Sequence, residues 1–97
     1  MRVRIKAFGD LAPLIGEELT VDLEEGSKLS DLIQEISRIM NGFKERLEAI
    51  SKRQGIIDPG LVILLNGCNI NLLDGLNTRL KDGDVVVFLP PAAGGRV

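Results

Sequence analysis

Histidine is absent from this chain. With it go the commonest general base near neutral pH and the commonest metal ligand, so chemistry built on either would have to come from elsewhere. Tryptophan and tyrosine are also missing, and aromatics are only 3% of the residues, which removes stacking platforms for nucleic-acid bases. The 12 lysines and arginines are scattered, and against 14 aspartates and glutamates they leave a formal net charge of −2. A clustered basic footprint for a phosphate backbone is therefore lacking, and nucleic acid is not an expected partner. Cysteine occurs once, as Cys68, which excludes an internal disulfide and agrees with a reducing compartment. No apolar run is long enough to span a bilayer, and the start (Met1, Arg2, Val3, Arg4) lacks the apolar stretch of a signal peptide. A cytoplasmic location with no membrane partner is the expectation.

What remains is 97 residues at 44% hydrophobic content, enough for one domain with one core. Residues 2–8 alternate, with Val3, Ile5 and Ala7 on one face and Arg2, Arg4 and Lys6 on the other, the pattern of a half-buried strand. Gly9-Asp10 interrupts it, and Pro13 and Gly16 mark an irregular stretch. Alternation resumes over residues 17–23 with Leu19, Val21 and Leu23 inward, so the two strands are expected to pair as a hairpin. Leu29, Leu32, Ile33, Ile36, Ile39 and Met40 then recur at three- and four-residue spacing, the apolar stripe of an amphipathic helix. Ser27 or Ser30 can cap it, with Asp31 near its positive end. Asn41-Gly42 signals a C-terminus, yet Phe43, Leu47 and Ile50 carry the period onward, which predicts a helix that breaks near Gly42.

Gly55 and Pro59-Gly60 make residues 52–60 a loop. The apolar run 61–65 suits a strand covered on both faces, or covered on one and offered to a partner on the other. Asn66-Gly67 supplies a tight hairpin turn, residues 68–71 can return as a short strand, Asp74-Gly75 turns again, and Lys81-Asp82-Gly83-Asp84 introduces a last strand, Val85 to Leu89. A long helix between two strand groups points to an α+β domain with a single sheet folded around it.

Carboxylate pairs (Glu17-Glu18, Glu24-Glu25, Asp82 with Asp84) read as solvated turn charges, because neighbouring strand residues point to opposite faces. Cys68 reads as a packing residue, having no cationic neighbour in local sequence to activate it.

The chain end stands apart. After the last strand come Pro90, Pro91, Ala92, Ala93, Gly94 and Gly95, then Arg96 and Val97. The proline pair stiffens a stem that cannot extend a sheet ladder. Glycine, without a Cβ, lets the backbone lie in a narrow channel and brings a carbonyl close to another molecule's reactive group. From Leu89 to Gly95 such an arm reaches about 20 Å when extended. With no anchoring apolar side chain before Val97, it is expected to be a flexible tail over 91–97, following a folded domain over 1–90.

Val3-Arg4-Ile5-Lys6-Ala7-Phe8-Gly9, Ile63-Leu64-Leu65-Asn66-Gly67, Leu80-Lys81-Asp82-Gly83-Asp84-Val85-Val86, Pro90-Pro91 and Gly94-Gly95 together resemble the small subunit of molybdopterin synthase. The chain is similar also to the sulfur carrier of thiamine synthesis and to archaeal ubiquitin-like small modifiers, over nearly its whole length. The resemblance implies a β-grasp (ubiquitin-like) fold, a mixed sheet packed on one main helix. It implies a carrier rather than an enzyme, binding no cofactor itself. An E1-like adenylating enzyme would use ATP to activate the terminal glycine, here Gly95, as an acyl-adenylate that then becomes a thiocarboxylate. In the cofactor branch the tail from Pro90 to Gly95 enters the molybdopterin synthase large subunit and delivers sulfur in molybdenum cofactor biosynthesis. In the modifier branch Gly95 is joined to lysines of target proteins.

Arg96-Val97 departs from this family pattern, in which the working form ends at the second glycine. Either a tail-processing protease cuts between Gly95 and Arg96, or the protein works uncharged as an interaction module, or an unusual partner tolerates the extension.

Overall fold

The computed structural model describes residues 1–51 and 62–89, without the side chains of Asp10 and residues 48–51. The loop expected over 52–60, Leu61, the side chain of Ile50 and the tail from Pro90 lie outside the described residues.

Strand β1 (Arg2–Ala7) buries Val3, Ile5 and Ala7 and exposes Arg2, Arg4 and Lys6, as its alternation requires. It pairs antiparallel with β2 (Leu19–Asp22), Val3 opposite Val21. The connection between them is more ordered than its proline and glycine suggest. A 3-10 turn at Gly9–Leu11 runs into a one-turn helix, α1 (Ala12–Ile15), and both Leu11 and Ile15 are buried. Pro13 is tolerated because first-turn N–H groups have no helical acceptor to lose, and Gly16 ends the turn at φ 81°.

Helix α2 (Leu29–Ile39) buries Leu29, Leu32, Ile33 and Ile36. Its N-cap is Lys28 rather than either serine. The Asp31 carboxylate accepts the Lys28 backbone N–H at 2.9 Å, setting a negative charge at the positive end of the helix. This end is also stitched to the segment before β5: the Leu29 N–H donates to the Thr78 carbonyl and the Leu80 N–H to the Ser27 carbonyl, both at 2.9 Å. The expected break is present. Met40 is extended, with φ −110° and ψ 97°, Gly42 sits at φ 92°, and the chain restarts as α3 (Phe43–Ser51) with Phe43 and Leu47 buried. Ile39 departs from the stripe: it lies on the stripe's margin in the last helical residue and is 44% exposed, while Met40 packs against the core.

Strand β3 (Val62–Leu65) turns through Asn66 and Gly67 into β4 (Cys68–Asn69). Both turn residues have positive φ, 51° and 86°, the backbone that an Asn-Gly pair accommodates. β4 stops after two residues because the Asn69 side chain accepts the Asn71 N–H at 2.9 Å, a local bond that competes with the ladder. Two 3-10 turns, Ile70–Leu72 and Gly75–Asn77, follow. Strand β5 (Val85–Leu89) takes the centre of a five-stranded sheet in the order β2-β1-β5-β3-β4, parallel to β1 and antiparallel to β3. Val86 and Phe88 are fully buried there, and the Phe88 ring meets Phe43 edge-on with centroids 5.4 Å apart, a favoured aromatic geometry. A mixed sheet wrapped on one main helix is the expected α+β, β-grasp arrangement. Among the described residues no helix is long and apolar enough to cross a membrane.

Asp84 corrects the reading of it as a solvated turn charge, being only 8% exposed. Its carboxylate accepts the Asn66 side-chain amide at 2.9 Å and the Lys81 backbone N–H at 2.8 Å. Asn66 completes the clamp: its side-chain oxygen accepts the Val85 N–H at 3.0 Å, and its own N–H donates to the Val85 carbonyl at 2.8 Å. Asp82 accepts the Arg2 N–H at 2.8 Å, and the Gly83 N–H donates to the Arg2 carbonyl at 2.8 Å. Both Gly-containing turns are thus structural.

Ile36→Ala should lower stability by about 2–5 kcal/mol in urea titration, whereas Ile39→Ala, at an exposed position, should stay within about 0.5 kcal/mol of the parent. Equal losses would contradict the packing described. Asn66→Gly keeps a residue that tolerates positive φ and deletes only the side-chain bonds to Asp84 and Val85, so a loss of about 1–3 kcal/mol is expected; unchanged stability would show that water replaces the clamp.

Candidate carrier-tail site

The last described residue, Leu89, sits at a defined place on the sheet. At its C-terminal end β5 pairs on one side with β1, Ala7 beside Phe88, and on the other with β3, Val62 opposite Leu89. The Phe8 N–H reaches past the end of β1 to the Phe88 carbonyl at 3.1 Å. The described chain therefore ends between two strands, one residue after a fully buried phenylalanine. The expected tail residues themselves, Pro90, Pro91, Ala92, Ala93, Gly94 and Gly95, and the processing pair Gly95 and Arg96, lie outside the described residues.

What surrounds the exit is described, and sequence reading caught only part of it. Phe8 is 53% exposed. It borders an open groove of ≈ 540 Å³ lined also by Lys6, Ala7, Ala12, Pro13 and Glu17. The signal was there, since Phe8 continues the β1 alternation on the side of Arg4 and Lys6, an apolar residue on a polar face.

The same face carries an aliphatic ridge. Helices α2 and α3 share one core with Ile63, Leu65, Val86 and Phe88, while Val62, Leu64, Val85, Val87 and Leu89 alternate onto the other side and remain half-buried. Leu64 stands opposite Val87 and Val62 opposite Leu89; on the other flank, Arg4 lies beside Val85 and Lys6 beside Val87. Of the two readings of the 61–65 run, the structure selects a strand covered by the helices on one side only. Arg2 at the far end of this row pairs with Asp22 at 3.4 Å, both largely exposed, a contact worth little to the fold.

Other candidate groups are structural. Cys68 is half-buried at the β3–β4 turn, its sulfur 3.7 Å from the Asn69 carbonyl, which fits packing. Glu17, Glu18, Glu24 and Glu25 are exposed. On α2 the Arg38 guanidinium hydrogen-bonds Glu35 and holds its carboxyl below the usual carboxylate range, a surface pair one turn apart. Among the described residues no three His, Cys, Asp or Glu side chains gather as metal ligands.

Comparison with known proteins joins this geometry to the chain end. The ThiS family profile matches residues 5–95. A candidate sulfur carrier protein of Archaeoglobus fulgidus is 36% identical over 78 residues, spanning 80% of this chain and 84% of that protein. Small archaeal modifier protein 3 of Haloferax volcanii is 27% identical over 96 residues, spanning 98% of this chain and 100% of the relative. Among solved structures, small archaeal modifier protein 1 from Methanosarcina acetivorans superposes with a TM-score of 0.70 at 31% identity, covering 97% of this chain and 96% of that one. Matched from the middle of β1 to the second glycine of the tail, the chain belongs to the ThiS family.

Proposed function

We propose that the chain is a sulfur carrier of the molybdopterin synthase small-subunit type, with the Gly95 carboxylate as its working group. The observation that carries this reading is the extent of the family match, which runs to Gly95 and leaves Arg96 and Val97 outside. In the proposed cycle a protease first removes Arg96-Val97. An E1-like enzyme then binds the carrier and ATP; a Gly95 carboxylate oxygen attacks the α-phosphorus and pyrophosphate leaves. Hydrosulfide displaces AMP from the acyl carbon, leaving a thiocarboxylate and free AMP; the synthase large subunit then consumes the thiocarboxylate. In this reading the carrier needs no base or metal of its own, because the catalysis belongs to its partner enzymes. Its own contribution is to present an unhindered carbonyl on a narrow stem that follows a strand held by the Phe8–Phe88 bond.

Similarity along the full length of a small archaeal modifier favours a second reading, in which the activated Gly95 is transferred to a lysine amine of a target protein. Both readings share the adenylation step. They also share a docking requirement, for which the ridge of Val62, Leu64, Val85 and Val87 next to the tail exit is suited: an activating enzyme seated there has the tail within reach.

Arg96 and Val97 would carry the reactive carboxylate about 7 Å beyond Gly95 when extended, and a misplacement of about 1 Å can cost on the order of a hundredfold in rate. A variant ending at Gly95 should therefore support ATP–pyrophosphate exchange with its cognate E1-like enzyme while the chain ending at Val97 does not. Equal exchange would show that the dipeptide is no gate, and absence with both would leave an uncharged interaction module. In the same assay Val87→Lys, placed on the Gly95-ending form, should raise the KM for the carrier about tenfold or more with an unchanged circular dichroism spectrum; an unchanged KM would exclude the ridge as the docking face.

A further inference from the structure

Apart from the tail, the molecule carries a second apolar surface that a carrier's chemistry does not use. Leu72, Leu73 and Leu76 are 79%, 44% and 49% exposed. Leu72 ends the first 3-10 turn after β4, Leu73 follows it and Leu76 lies in the second, so three large exposed aliphatic side chains fall within five residues. Single exposed leucines are ordinary, but three within five residues, two of them on one groove, suit an interaction site. The platform beneath them is fixed. The Thr78 hydroxyl accepts the Asp74 N–H at 3.1 Å, Thr78 itself is buried, its carbonyl holds the start of α2, and Ile70 anchors the first turn in the core. A surface already rigid in the free protein loses little conformational freedom on binding.

The charges at this surface name the occupant. Leu72 and Leu73 border an open groove of ≈ 480 Å³ whose rim carries both Asp74 and Arg79, each exposed and neither in an ion pair among the described residues. One acidic and one basic group on the rim of the same groove, beside Leu72 and Leu73, make a self-complementary patch, which is what a two-fold interface requires, since each residue must meet its partner's counterpart. We infer that this face pairs two copies of the chain, leucines of one seated in the groove of the other, Asp74 of each copy opposite Arg79 of its mate. The lining shares no residue with the groove at the tail exit, so pairing leaves the carrier route open, and the inference stands independently of how the tail is used.

Sedimentation velocity on the full chain, from about 10 μM to about 1 mM, tests it. The parent protein should move from monomer toward dimer as concentration rises. Asp74→Arg and Arg79→Asp, each measured alone, place like charges face to face twice over and should weaken association about tenfold or more. An equimolar mixture of the two should associate again, because each Arg-rich copy then faces an Asp-rich one. Leu76→Asp should remain monomeric with an unchanged circular dichroism spectrum. A parent protein that stays monomeric to about 1 mM, single reversals that associate like the parent, or a mixture no stronger than its components would each overturn the proposal.

Discussion

The position of β5 constrains everything else in the molecule. It is the last strand in sequence and the middle strand in space, bonded to β1 on one side and β3 on the other, with Val86 and Phe88 wholly withdrawn from water. A strand in that position cannot shift by one residue without turning both side chains out of the core. Its start is fixed by the Asp84–Asn66 clamp and its end by the Phe8–Phe88 bond and the Phe43 ring. The consequence is mechanical: Leu89 is held at one point on a rigid frame.

That constraint separates two demands that a protein acting through its own chain end must meet. The domain has to be rigid enough for a partner to recognise, and the reactive terminus has to be thin enough to enter a foreign active site. Burying the final strand centrally meets the first. Proline, alanine and glycine after it suit the second. The open face next to the end of β5, aliphatic on β3 and β5 and basic on β1, is where the proposed docking surface lies, whereas the leucine surface lies on the segment joining β4 to β5.

The fold was largely legible because its signals are local and agree with one another. Period-two alternation in residues 2–8, the α2 stripe, the Asn41-Gly42 break and the Asn66-Gly67 turn each specify one conformation, and the packing of Leu32, Ile33 and Ile36 against Val3, Ile5, Val21, Ile63 and Val86 joins surfaces that were apolar on one side already. What failed depended on distant partners. Asp84 reads as a turn charge until Asn66, 18 residues away, is found to hold its carboxylate. The stretch after Gly9 reads as loop because proline and glycine outweigh two aliphatic residues that pay for a short helix only when a core is present. Ile39 belongs to the stripe by spacing and leaves it because the helix ends there. The tail is the reverse case: its meaning came from the resemblance and not from any packing rule.

The central claim, that Gly95 is the working terminus and carries sulfur, is tested most directly by the intact mass of the protein purified from its native host. The account predicts a population that has lost Arg96 and Val97 and in which one terminal carboxylate oxygen is replaced by sulfur. A single species retaining both residues and all its oxygen, under conditions in which the cognate activating enzyme is active, would contradict it.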